Sequence, residues 1–203
     1  ETSGGYWYAS GEFSMSEHAG THMDAPIHFA RDQASVDKIP LDRLLGPAVV
    51  VDARKQAAEN RDYRLTREDL RQWEAAYGRV PAGSLLFMLT GWGASWTDQE
   101  RYFGSSAPTD PATLHFPAFS REAVEFLVVE RAIRGIGIDT ASVDYGPSRD
   151  FPVHQLLNGA GLYALENVAQ LDQVPPTGAT IIALPLKIRG GSGGPVRIIA
   201  LLP

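Results

Sequence analysis

His18-Ala19-Gly20-Thr21-His22-Met23-Asp24-Ala25-Pro26-Ile27-His28 is the stretch around which the chain is organised. It holds three of the five histidines of the protein, with an aspartate among them. The i, i+4 spacing of His18 and His22 would put both on one face of a helix. Gly20 and Thr21 are poor helix formers, however, and Pro26 would break any continuation. An extended chain is expected instead, with His22, Asp24 and His28 on one side and Met23, Ala25 and Ile27 on a side able to face a core. The Ala19-Gly20-Thr21 turn can fold His18 back toward His22. Imidazoles and a carboxylate then converge on one point, which is the donor set of a divalent metal site. An isolated histidine is usually an ordinary surface or core residue, but four such donors around Gly-Thr and Ala-Pro are a poor fit to chance clustering.

The 203 residues suit a single domain over 1–203. Apolar residues at 44% and charged residues at 21% are ordinary for a globular chain. A net charge of -6 argues against non-specific binding to nucleic acid or an anionic membrane. No apolar run has the length of a membrane span. Cysteine is absent, so disulfides, thiolate ligands and thiol nucleophiles are excluded and any metal must be held by nitrogen and oxygen. A cytoplasmic location is favoured over a secreted one, with a removed leader left open.

Along the chain, Gly5 to Ser16 is aromatic and glycine-rich and reads as an extended arm or edge strand. Ile39 to Gly46 reads as a short turn or helix ended by Gly46 and Pro47, and Ala57 to Tyr63 as a loop. Ala48 to Asp52, Ser84 to Thr90 and Ile136 to Asp139 are short, apolar runs bounded by turn residues, and read as buried strands. Thr66 is an N-cap with Asp69 three residues on, and Leu70, Trp73, Ala76 and Tyr77 form the apolar face of the helix that follows. A second helix opens at Ser120 and is expected to stop at Gly135. The long aperiodic stretch from Ala94 to Thr113 reads as a wall of the active site, with Trp92, Trp96, Tyr102 and Phe103 as pocket aromatics. Thr180 to Ile188 and Val196 to Leu201 are the last strands. The Gly-rich Arg189 to Pro195 between them precedes a strand and lacks the Lys-Ser/Thr of a phosphate-binding loop, so it reads as a flexible hairpin at the pocket rim.

The opening stretch matches His-x-Gly-Thr-His-x-Asp-x-Pro-x-His throughout. The chain thereby resembles the cyclase-like metal-dependent hydrolases, which include bacterial kynurenine formamidases and isatin hydrolases. The likeness extends to Gly137-Ile138-Asp139-Thr140-Ala141-Ser142-Val143-Asp144, to Leu184-Pro185-Leu186-Lys187-Ile188 and to Gly194-Pro195-Val196-Arg197. Measured against that family the start of the chain reads as truncated.

The resemblance implies an α/β fold, a swivelling β/β/α domain with a mixed central sheet. It adds His154 and Glu166, twelve residues apart, to His18, His22 and Asp24 as metal ligands. One or two ions per chain are expected, zinc or manganese. His28 is left for acid/base work, a role suited to a near-neutral imidazole outside a complete ligand set. Two carboxylates offset the metal charge and favour a neutral substrate over a phosphate. The expected reaction is hydrolysis of a small aromatic amide, either N-formylkynurenine (arylformamidase) or an isatin-type lactam, by a homodimer or homotetramer. A lactone hydrolase or dehydratase on the same scaffold, and a non-catalytic metal-binding protein, are the competing readings. Asp139 and Asp144 receive no ligand role, and Asp139 reads as a cap or brace of its loop.

Overall fold

Strands buried on both faces carry apolar side chains without alternation, and that pattern marks the parallel part of this sheet. The computed structural model describes residues 2–203. Four parallel strands stand side by side: β2 (Leu45–Asp52), β4 (Leu85–Leu89), β6 (Gly135–Ile138) and β7 (Tyr163–Glu166). Three antiparallel strands close the sheet on itself: β1 (His22–Asp24), β8 (Thr180–Pro185) and β9 (Gly193–Leu201). The spatial order is β1-β7-β6-β4-β2-β8-β9, with β9 returning to β1. Two short strands, β3 (Arg64–Leu65) and β5 (Ala118–Phe119), pair separately. The helices are α1 (Arg54–Glu59), α2 (Arg67–Tyr77), α3 (Gln99–Phe103), α4 (Arg121–Phe126, prolonged by a π turn over Leu127–Arg131) and α5 (Pro152–Gly159). None is long and apolar enough to cross a membrane, among the described residues. The α/β class and the mixed sheet are as expected. The closure is new, because it depends on which distant edges meet.

Side-chain alternation splits the core in two. Ala48, Val50, Leu85, Phe87, Tyr163 and Leu165 fill the barrel together with Met23, Ile181 and Ala183. Their neighbours Val49, Val51, Leu86, Met88, Ile136 and Ala164 face outward, against Leu70 and Trp73 of α2, Ala123 and Phe126 of α4, and Val153 and Leu157 of α5. Gly137 lies opposite Phe87 in the register, and a Cβ there would overlap the Phe87 ring. The barrel is filled by that aromatic only because its neighbour has no side chain.

Local signals place several elements correctly. Thr66 and Asp69 cap α2 reciprocally, and Ser120 accepts from the Ala123 N–H to start α4. Elsewhere packing overrides the local reading. Gly46 and Pro47 lie inside β2, where pairing with β8 extends the strand toward its start. Residues 57–63 are partly helical, as α1 buries Ala57. The helix after Ser120 ends on Ala132 at φ 52, and Gly135 already begins β6. Ala76 and Tyr77 are exposed, so the buried face of α2 is narrower than the sequence suggests. The arm before His18 pairs with no strand, and Tyr6, Trp7, Tyr8 and Phe13 are all exposed.

Candidate metal centre

Register is what builds the site. β1 runs antiparallel to β7 with His22 opposite Glu166, Met23 opposite Leu165 and Asp24 opposite Ala164. Met23 and Leu165 point into the barrel, so His22, Asp24 and Glu166 point outward, toward α5 and its buried His154. The turn before β1 folds back through Gly20 at φ +65 and brings His18 Nδ1 to 2.6 Å from Asp24 Oδ1. The extended chain stops at Asp24. A 3-10 turn over Pro26–His28 then carries His28 to the site, stacked on His18 with ring centroids 4.1 Å apart. All six residues singled out in the sequence therefore come together at the end of the barrel where β6 and β7 finish, the usual place for ligands in α/β sheets.

His22 Nε2 lies 3.2 Å from Asp24 Oδ1 and 3.4 Å from Glu166 Oε2. His154 Nε2 lies 3.2 Å from Asp24 Oδ2 and 3.3 Å from Glu166 Oε1. These separations exceed the roughly 2.7–2.9 Å of a charge-assisted hydrogen bond. The outer nitrogens are committed elsewhere: His22 Nδ1 donates to the Gly20 carbonyl at 2.9 Å, and His154 Nδ1 to Asp144 Oδ2 at 2.7 Å. Each acceptor can only accept, so the outer nitrogen keeps its hydrogen and the inner Nε2 is the one each ring would present to a cation in exchange for a proton. Two inward-facing imidazole nitrogens and two carboxylates, all buried and spaced around a common point, are a donor set that fits a divalent cation. Ligand atoms of His22, Asp24 and Glu166 lie within 4.8 Å of one another, as do those of His18, Asp24 and His28. Asp24 belongs to both groups.

Charge follows from this packing. Burial opposes a proton on His22, but Asp24 and Glu166 outweigh it and raise its pKa to about 10. Burial likewise opposes charge on His154, and Asp144, Asp24 and Glu166 hold its pKa well above the ordinary value. His28 differs: its burial dominates and lowers its pKa, leaving a neutral imidazole at pH 7.

Several contributors escaped the sequence reading. Asp144 accepts from the Val153 and His154 N–H groups as well as from the His154 ring, so it caps α5 and orients its histidine at once. The Val143 N–H donates to Glu166 Oε1, which makes the loop after β6 the holder of both distant site residues. Asp139, by contrast, takes the bracing role read for it from the sequence: it accepts from the Thr90 N–H and hydroxyl at the base of the same loop. A cavity of about 620 Å³ opens beside the centre. Trp96, Tyr102 and Phe103 line it as expected, and Phe29 and Phe151 join them. Trp92 does not, because its indole N–H is turned to the Tyr102 carbonyl. Phe29 directly follows the histidine stretch and Phe151 precedes Pro152, but neither position distinguishes a cavity residue from a core one.

Comparison with known proteins agrees with this geometry. The sequence model of the Cyclase family matches residues 3–145. The chain is 33% identical to an isatin hydrolase of Roseibium aggregatum, over 99% of this chain and 78% of that one. It is 35% identical to a kynurenine formamidase of Salinibacter ruber, over 93% of this chain and 78% of the relative. Among solved structures, isatin hydrolase A from Ralstonia solanacearum superposes with a TM-score of 0.91 at 41% identity, covering 100% of this chain and 78% of that one. A potential metal-dependent hydrolase with cyclase activity superposes with a TM-score of 0.70 at 26% identity, covering 92% and 80%. Signature, buried donor set and relatives agree: this chain belongs to the cyclase family and is a metal-dependent hydrolase.

Proposed function

We propose that the protein hydrolyses the carbon–nitrogen bond of a small, neutral aromatic amide, with an isatin-type lactam favoured over N-formylkynurenine. The observation that carries this reading is the cavity wall. Phe29, Trp96, Phe103 and Phe151 surround the mouth of the centre, and no Lys or Arg lines it among the described residues. A flat ring finds apolar contact there. The free amino-acid group of N-formylkynurenine would bring a carboxylate that has no cationic side chain to meet it.

His22, Asp24, His154 and Glu166, with His18, would hold the cation, zinc or manganese. A divalent ion bound there supplies Lewis acidity to the amide carbonyl and makes a water nucleophilic near neutral pH. His28 sits beside this centre, neutral and half-buried. It takes the proton of the attacking water as the C–O bond forms and returns it to nitrogen as the C–N bond breaks. Asp24 and Glu166 keep the loaded centre near neutrality.

A second reading concerns ion number. Asp24 belongs to two groups of donors, one with His22 and Glu166 and one with His18 and His28. A two-ion site bridged by Asp24 would recruit His28 as a ligand and remove it from proton transfer. We further infer that the barrel with its outer helices is the swivelling β/β/α domain of the resemblance, and that the exposed Tyr6, Trp7 and Phe13 are covered by a second copy in a homodimer or homotetramer. Full-chain protein loaded with manganese or zinc should open isatin faster than it deformylates N-formylkynurenine, measured as kcat/KM. A preference for the formamide, or for a lactone, would overturn the lactam assignment. Metal analysis of the same samples gives the ion number.

A further inference from the structure

The glycine-rich hairpin before β9 is unexplained by the function above, yet it reaches the histidine signature directly. Ser192 Oγ lies 2.9 Å from His18 Nε2. On its other side Ser192 Oγ donates to Glu17 Oε2 at 2.7 Å, and the Ser192 N–H donates to the same oxygen at 2.8 Å. The glycines beside it allow this approach. A Cβ on Gly193 would stand 2.5 Å from the Met23 carbonyl and 2.7 Å from His18 Cε1, and one on Gly191 would stand 2.9 Å from Glu17 Oε1. The loop read as a flexible hairpin is therefore fitted around His18.

Proton accounting gives the contact a direction. A carboxylate can only accept, so the single Ser192 hydroxyl proton goes to Glu17. The Ser192 oxygen then has only lone pairs for His18, and Nε2 must carry the hydrogen. We infer that Ser192, aimed by Glu17, is a positioning residue that holds the His18 Nε2–H and so points Nδ1, which donates to Asp24 Oδ1 at 2.6 Å in the metal-free protein, to the place where a cation would replace that proton. This inference rests on the metal-centre reading above. It adds an outer partner for the third imidazole, alongside the Gly20 carbonyl for His22 and Asp144 for His154. Ligating histidines generally need such a partner, and its loss typically costs about 10–100-fold in metal affinity.

The test uses full-chain protein and zinc alone. Long-range ¹H–¹⁵N spectra of histidine-labelled, zinc-loaded wild type should show His18 protonated on Nε2 with Nδ1 ligated, assigned by loss of its signals in His18→Gln. Chelator competition should show zinc affinity about 10–100-fold weaker in Ser192→Ala and largely restored in Ser192→Thr. Glu17→Gln should weaken binding too, because an amide can donate to Ser192 and free the hydroxyl to reverse the bond to His18. Nδ1–H on His18 in the loaded wild type would overturn the inference without any variant, as would wild-type affinity in Ser192→Ala. Failure of the wild type to bind zinc at all would instead overturn the metal-centre reading, and this inference with it.

Discussion

The metal-free centre should hold at least two protons where the cation belongs, and loading it should expel them. Burial resists charge on His22 and His154, but the carboxylates between them prevail, placing His22 at about 10 and His154 well above its usual value. Burial also penalises the Asp24 carboxylate, yet His154, His18 and His22 hold it ionised well below the ordinary range. At pH 7 the protons on His22 and His154 thus stand where a divalent ion would neutralise the same carboxylates. Exchange of at least two protons for one ion follows, with affinity rising by about 100-fold or more per pH unit while both imidazoles stay protonated. Titration calorimetry with manganese at pH 7 in buffers of different ionisation enthalpy counts the protons, and repetition between pH 6 and 8 gives the slope. A proton count near zero, or an affinity flat across that range, would refute the reasoning. Stability should move accordingly. The raised pKa of His22 stabilises the metal-free fold fully below its unfolded value of 6.5, and that contribution is lost as pH rises through about 10. The lowered pKa of Asp24 stabilises it above 3.8, and that contribution is lost as pH falls toward the native value. The Tm of metal-free protein should therefore fall on both the acid and the alkaline side, and bound metal should remove most of the alkaline loss.

His28→Ala should lower kcat by about 10²–10⁴ with bound metal unchanged; wild-type turnover would remove His28 from proton transfer, and loss of an ion would favour the two-ion reading. Asp144→Asn should weaken metal binding by about 10–100-fold in chelator competition, because an amide cannot satisfy the His154 ring and both helix N–H groups equally well. Unchanged affinity would reduce Asp144 to a helix cap. Gly137→Ala should destabilise the fold by about 1–3 kcal/mol in urea titration through overlap with Phe87. An unaltered midpoint would contradict the packing inside the barrel.

The local parts of this protein were written in contiguous residues. Within eleven positions the spacing of His18, His22, Asp24 and His28, broken by Gly20 and Pro26, excluded an α-helix and concentrated the donors; alternation put His22 and Asp24 on one side, whereas His28 arrives by a 3-10 turn. The Thr66–Asp69 cap and the apolar runs of β2, β4 and β6 were likewise visible, because caps and strand burial are set by neighbours a few residues away. His154 and Glu166 were named only through family resemblance, since a lone histidine and a lone glutamate carry no metal signal of their own. What brings them to Asp24 is the insertion of β1 between β7 and β9 in one particular register, a pairing across more than a hundred residues. Closure of the barrel and the reach of Ser192 to His18 depend on the same long-range pairing. Sequence alone determined which donors are available; the register of the closed sheet decided which of them share one centre, because a slip by one residue would turn His22 and Asp24 into the barrel and Met23 out of it.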